Sequence, residues 1–155
     1  MVRLLFVCLG NICRSPAAEG IMQSKLKEAG LAEKIKCDSC GTAAHFGEPA
    51  DPRMQSHAGR RGYKLLSQSR AFDEKDFERF DYIFTMDQHN YDFVMSKATK
   101  KKYKEKVHKM TSFCSHFTIN NVPDPYYGGD EGFERVLDIL EDGCQGVLNK
   151  LLTKV

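Results

Sequence analysis

Hydrophobic positions fall into two patterns along this chain, unbroken runs and helically spaced stripes. Arg3-Leu4-Leu5-Phe6-Val7-Cys8 carries five consecutive apolar residues and stops at Gly10, as expected of a strand buried on both faces of a parallel sheet. Directly afterwards Ala18, Ile21, Met22, Leu26 and Ala29 recur at helical spacing as far as Gly30. Ser15-Pro16, with Glu19 expected in the first turn, predicts where that helix starts. A second short strand is expected over Lys36–Cys40, closed by Gly41. A polar loop with Gly47, Pro49 and Pro52 then leads to a helix near Arg53–Arg61. Asp81–Met86 reads as a third strand, Asp87 is placed to cap a helix running to about Lys97, and Val107–Met110 begins a fourth strand. Phe133, Val136, Leu137, Leu140, Cys144, Val147, Leu148 and Leu151 form one apolar stripe, the clearest helix of all.

Strands alternating with helices imply an α/β fold on a parallel sheet, because each crossover is long enough to hold a helix. Ligands of such sheets bind at the carboxyl ends of the strands, which is where Cys8 falls. With 155 residues and 41% hydrophobic content the chain is read as a single domain, 1–155, around one core. Its net charge of +2 is too small to suggest nucleic-acid or membrane partners, so anion binding has to be local. No apolar run is long enough to span a bilayer and no signal-peptide pattern opens the chain. The expected location is therefore cytoplasmic, with the six cysteines as free thiols.

The segment Cys8-Leu9-Gly10-Asn11-Ile12-Cys13-Arg14-Ser15 carries the chemistry. A loop between a buried strand and a helix N-terminus aims several backbone N–H groups at one point, where the helix dipole adds positive potential. Gly10 is expected to permit a conformation that a side chain would resist. Five residues separate Cys8 from Arg14, enough for the chain to curl around a tetrahedral oxyanion with sulfur below and a bidentate guanidinium at the rim. The same field favours the Cys8 thiolate, and Ser15 is placed to donate a hydroxyl proton to it. Such an arrangement selects covalent phosphoryl transfer through a phosphocysteine, with no metal or cofactor.

These residues resemble the low-molecular-weight protein tyrosine phosphatase family. The likeness extends through Asp38-Ser39-Cys40-Gly41-Thr42, Asp51-Pro52-Arg53, Met86-Asp87 and Asp124-Pro125-Tyr126-Tyr127. It implies a doubly wound four-stranded parallel sheet flanked by helices on both faces, and hydrolysis of phosphotyrosine in proteins or peptides, or of small aryl phosphates. It also implies Cys8, Arg14 and Asp124 as catalytic residues, Asp124 being the general acid/base. Leu9, Gly10, Asn11, Ile12, Cys13 and Ser15 then line the phosphate loop, Tyr126 and Tyr127 flank the substrate, and Asn11 and Ser39 support the loop. Where the family has a histidine in that support, Ser67 stands here. Ala43-Ala44-His45-Phe46 is one residue shorter than the family's aromatic loop, leaving Phe46 or His45 as the opposite wall of the slot. Cys13 matches a cysteine that in the family forms a reversible disulfide with the nucleophile. Phosphate is the expected product, and a monomer or weak dimer the expected assembly.

Two rival readings use the same loop: an arsenate reductase of this fold, and a redox-sensing, phosphate-binding module with little catalysis. The reductase relays a disulfide through further cysteines, and none occurs between Cys40 and Cys114. Cys37-x2-Cys40 has zinc-ligand spacing, yet lies within a predicted strand, and zinc would consume Cys8. The lysine-rich segment Lys97–Lys109 reads as a solvated helix face.

Overall fold

The first apolar run becomes the central strand. In the computed structural model, which describes residues 1–126 and 128–154, β1 (Val2–Cys8) pairs in parallel with β2 (Ile35–Gly41) on one side and β3 (Tyr82–Thr85) on the other. β4 (Val107–Lys109) joins β3, giving a four-stranded parallel sheet in the order β2-β1-β3-β4. Leu4, Leu5, Phe6 and Val7 are completely buried because helices cover both faces. Each such side chain contributes about 1.5–3 kcal/mol relative to an exposed one.

Strand alternation sorts these residues between two cores. Leu4, Phe6 and Cys8 join Ile21, Met22 and Leu26 of α1 (Arg14–Glu28) and Phe133, Leu137 and Leu140 of α6 (Asp130–Leu152). Leu5 and Val7 join Phe77 and Val94, from the one-turn helix α3 (Asp76–Arg79) and from α4 (Gln88–Lys97), and Tyr103 of α5 (Lys101–Lys104). Cys40 lies in the second core while Cys37 packs against the first. Three residues apart on a strand, they point to opposite faces, so their zinc-like spacing assembles nothing.

Several boundaries differ from the expected ones. Ser15 does not cap α1: the helix begins at Arg14, its cap position is Cys13, and no side chain there accepts a hydrogen bond. Glu19 accordingly falls in the second turn. α2 spans Pro52–Arg60, capped by the Asp51 carboxylate, which accepts from the Arg53 amide. The helices α3 and α5 are single turns, too short to show a period, and a 3-10 turn over Met110–Phe113 follows β4. α6 approaches that turn so closely that a Cβ on Gly146 would stand 1.9 Å from the Phe113 carbonyl oxygen. No helix among the described residues is long and apolar enough to cross a membrane.

The strand order switches sides between β1 and β3, which run parallel and whose following helices, α1 and α4, cover opposite faces. The crevice at their carboxyl ends is where sheets of this kind admit ligands.

Candidate active site

Cys8 ends β1 at that crevice and is only 2% exposed. The loop beyond it is held against the end of β2, where the Thr42 amide donates to the Cys8 carbonyl and the Ala43 amide to that of Leu9, both at 2.9 Å. Gly41 allows this fit, since a Cβ there would meet the Leu9 carbonyl oxygen at 2.6 Å and the Asn11 nitrogen at 3.0 Å. The left-handed residue of the loop is Asn11, with φ of 57°, rather than Gly10. Asparagine tolerates that region better than most residues. The turn aims the Asn11 amide back at the Cys8 sulfur, 3.3 Å away.

A buried hydrogen-bond chain stands behind the sulfur. Asn11 Nδ2 donates both to Ser15 Oγ at 2.8 Å and to Ser39 Oγ at 3.0 Å, and Ser39 Oγ donates to Glu19 Oε1 at 2.6 Å. Ser15 Oγ lies 3.0 Å from Cys8 Sγ and 3.3 Å from the Cys40 carbonyl oxygen. The direction of these bonds follows from the donor inventory. A carboxylate only accepts, so Ser39 gives its hydrogen to Glu19 and receives one from Asn11. Asn11 spends its second amide hydrogen on Ser15, which leaves the Ser15 hydrogen for the sulfur or the Cys40 carbonyl. Burial raises the Glu19 carboxyl above its ordinary range, the Ser39 hydrogen bond pulls it back, and Asp38 pushes it further up. The Ser67 hydroxyl acts on this same carboxylate, so Ser67 faces the network.

Arg14, in the first turn of α1, is 2% exposed. Its Nη1 donates to Asp87 Oδ2 at 2.7 Å and to the Val122 carbonyl at 3.0 Å, while Nη2 lies 3.6 Å from Asp124 Oδ2. Asp87 serves two elements at once, because its Oδ1 accepts from Asn90 in the capping box that starts α4. Cys8, Leu9, Gly10, Ile12, Cys13, Arg14, Asp124 and Tyr126 line one cleft of about 200 Å³. Uncapped amides of α1 and the guanidinium edge favour an anion within it.

The thiols other than Cys8 are held up by burial. Burial, with the charges of Asp51, Asp124 and Cys8, pushes the Cys13 thiol up to about 12. Burial likewise raises Cys144 and Cys114 to about 12, and raises Cys37 and Cys40. These five remain protonated at neutral pH.

Cys8, Arg14, Asp124, Tyr126 and most of the loop thus meet at one place. Asn11, Ser15 and Ser39 sit behind the loop, buried, rather than on the cleft wall. Phe46 is 90% exposed and His45 is also exposed, and neither is among the residues lining the cleft. The segment bearing them is turned outward at Gly47, with φ of 82°, and is fastened to Ser69, whose hydroxyl donates to the His45 carbonyl and accepts from the Glu48 amide. Tyr127 lies outside the described residues. Sequence reasoning missed the roles of Glu19, read as a first-turn acid, and of Asp87, read only as a cap. Arg53 stands in the Asp51-Pro52-Arg53 motif, from which its contact with Tyr126 is not legible. Pairings across 20 to 73 residues leave no local signal.

Residues 3–155 match the sequence profile described as low molecular weight phosphotyrosine protein phosphatase. The chain is 36% identical to the low molecular weight phosphotyrosine protein phosphatase of Homo sapiens, with 95% of this chain and 94% of the relative covered. The Schizosaccharomyces pombe protein of the same description is 37% identical, with 97% of each covered. A crystal structure of a protein tyrosine phosphatase from Entamoeba histolytica, with Hepes in the active site, superposes with a TM-score of 0.96 at 48% identity over 99% of both chains. YfkJ from Bacillus subtilis superposes at 0.92 and 36% identity, covering 99% of this chain and 96% of that one.

Proposed function

The chain belongs to the low molecular weight phosphotyrosine protein phosphatase family, and from that premise we propose that it hydrolyses phosphotyrosine in proteins and small aryl phosphates through a phosphocysteine on Cys8. The observation that carries this reading is the convergence of Cys8, Arg14 and Asp124 on one cleft. The phosphoryl group enters over the sulfur, its oxygens taken by the loop amides and the Arg14 guanidinium. The Cys8 thiolate attacks phosphorus, the S–P bond forms as the P–O(aryl) bond breaks, and the protonated Asp124 carboxyl gives its proton to the departing oxygen. Water then attacks the phosphocysteine, Asp124 takes the water proton, and the S–P bond breaks to release phosphate and the thiolate.

Ser15 and the Asn11 amide stabilise the thiolate in both steps, while Ser39 and Glu19 hold Asn11 in its left-handed turn. Leu9 and Tyr126, 48% and 41% exposed, supply apolar walls for a phenyl ring, with Phe46 as the outer wall once a ring is bound. The protein substrates are phosphotyrosine-bearing proteins of the cytoplasm, and Cys13 is the partner of Cys8 under oxidation.

Hydrolysis of p-nitrophenyl phosphate tests the reading. Wild type is expected to turn over without added metal, and Cys8→Ser to lose that activity while still binding phosphate. Asp124→Asn is expected to lower kcat/KM for phenyl phosphate far more than for substrates with better leaving groups. Wild-type protein that binds phosphate without turnover overturns the enzyme, and equal slowing of all substrates removes Asp124 from acid catalysis.

A further inference from the structure

Asp124 is borne by a loop with little intrinsic stiffness on its far side, where Gly128 and Gly129 precede α6. Its carboxylate accepts from the Tyr126 amide two residues on, at 3.0 Å, a bond internal to the loop, and it remains 42% exposed. With this bond and the Arg14 Nη2 contact at 3.6 Å as its holds, a carboxyl this exposed has freedom to swing. Arg53 reaches this loop from α2. Its Nη2 donates to the Tyr126 carbonyl at 2.8 Å, and its guanidinium lies 5.3 Å from the Tyr126 ring centre and 4.9 Å from that of Phe133. Phe133 is a buried core residue of α6, so the cation is wedged between the Asp124 loop and the packed core.

The same guanidinium is anchored as firmly to the residue that caps α2. Nε and Nη2 bond the two Asp51 oxygens at 3.2 and 3.1 Å, and that carboxylate is 7% exposed. The Asp51 amide in turn donates to the Ile12 carbonyl, inside the loop that follows Cys8, at 2.8 Å. A continuous path therefore runs from the thiol-bearing loop through Asp51 and Arg53 to Tyr126, two residues from Asp124. A planar fork can make these bonds together while stacking on two rings, which a point charge cannot.

We propose that Arg53 is a positioning residue for the reaction, a strut that sets the height of Asp124 above Cys8 so that the carboxyl proton meets the leaving oxygen. This rests on the phosphatase reading above. Arg53 touches neither the phosphoryl group nor the thiol in this role, and its effect is confined to the proton transfers made by Asp124.

The test compares kcat/KM for phenyl, p-nitrophenyl and 2,4-dinitrophenyl phosphates in wild type, Arg53→Met, Arg53→Lys and Asp124→Asn, together with inhibition by inorganic phosphate. A misplaced acid costs rate in proportion to the leaving group's need for a proton, and displacements near 1 Å cost about 10²-fold. Arg53→Met is expected to lower kcat/KM for phenyl phosphate about 10- to 100-fold and for 2,4-dinitrophenyl phosphate less than about threefold, with phosphate inhibition within about twofold of wild type. Arg53→Lys is expected to fall between the two, and Arg53→Met is expected to add nothing in the Asp124→Asn background. Equal loss on all three substrates, a matching loss of phosphate binding, or an undiminished effect in the Asp124→Asn background overturns the strut. If Asp124→Asn shows no leaving-group dependence, the acid assignment falls and the strut with it. If Asp124→Asn shows it and Arg53→Met does not, the strut alone falls.

Discussion

Ser39 is the hinge of the buried chain behind Cys8, and its replacement by alanine gives the most direct measure of what that chain holds. Ser39 is 1% exposed, so no solvent takes over the bonds it makes. Ser39→Ala removes one donor to a carboxylate at 2.6 Å and one acceptor for an amide at 3.0 Å. The first kind contributes about 1.5–3 kcal/mol and the second about 0.5–1.5 kcal/mol. Relief from burying a hydroxyl offsets about 1 kcal/mol or somewhat more, leaving a net loss of about 1–3 kcal/mol. For a chain of this size that lowers Tm by about 3–10 °C. Asn11 keeps its bond to Ser15 and the one its Oδ1 accepts from the Arg70 amide, so the loop stays closed but looser, and kcat for p-nitrophenyl phosphate is expected to fall about tenfold, near 1.4 kcal/mol. Thermal unfolding and steady-state kinetics at one neutral pH measure both. Ser96→Ala is the control: its hydroxyl bonds the Phe93 carbonyl in an exposed position, and its loss should stay within about 0.5 kcal/mol. A Ser39→Ala protein with Tm within about 1 °C and kcat within about twofold of wild type would refute the argument that this chain shapes the loop.

Glu19→Gln probes the far end of the chain by pH. The folded protein raises this carboxyl above its ordinary 4.5, so the stability it contributes is full below that value and lost as pH rises through the folded one. The stability of wild type minus that of Glu19→Gln should therefore decline upward from about pH 4.5, by at most about 1.4 kcal/mol per pH unit, before levelling; urea midpoints that show a flat or rising difference contradict it. Gly146→Ala forces α6 away from the Phe113 carbonyl and should cost about 1–3 kcal/mol or more, whereas Gly59→Ala in α2, with nothing within 4 Å of the new Cβ, should gain about 0.5–1 kcal/mol. Equal urea midpoints for the two variants would show that the close approach of α6 is not needed. Arg14→Lys, leaving one point charge for Asp87, the Val122 carbonyl and the anion, should lower kcat/KM by about 10²–10³, and a loss under tenfold counts against bidentate binding.

What the sequence made legible is what local pattern encodes. β1 and α6 were plain because an unbroken apolar run and a long stripe each have one structural solution, and the Cys8–Arg14 spacing placed the loop at a strand end. Ser15 was misread because a serine before proline is an ordinary cap, whereas here its hydroxyl turns toward sulfur and leaves the helix amides open. Gly10 drew the expected strain to itself, yet the adjacent Asn11 carries it, held in place by four partners distant in sequence or buried. Glu19, Asp87 and Arg53 act across the fold, so their roles awaited the pairing of β1 with β2 and β3 and the docking of α2 on α6. Asp124, by contrast, was located only by family resemblance, since Asp-Pro alone reads as a turn.

Gly41 has a consequence for how the site can vary. With the Leu9 carbonyl and the Asn11 nitrogen seated where its side chain would be, the end of β2 acts as a mould for the loop that follows Cys8. An added residue would have to swell into space this strand already fills, and a deleted one would draw Arg14 out of the first turn of α1. The circumference of this loop is thus set by a neighbouring strand that lends hydrogen bonds but touches no reacting atom, and substitutions that retune this enzyme's substrates have to be sought at the rim, in Leu9, Tyr126 and the segment bearing Phe46.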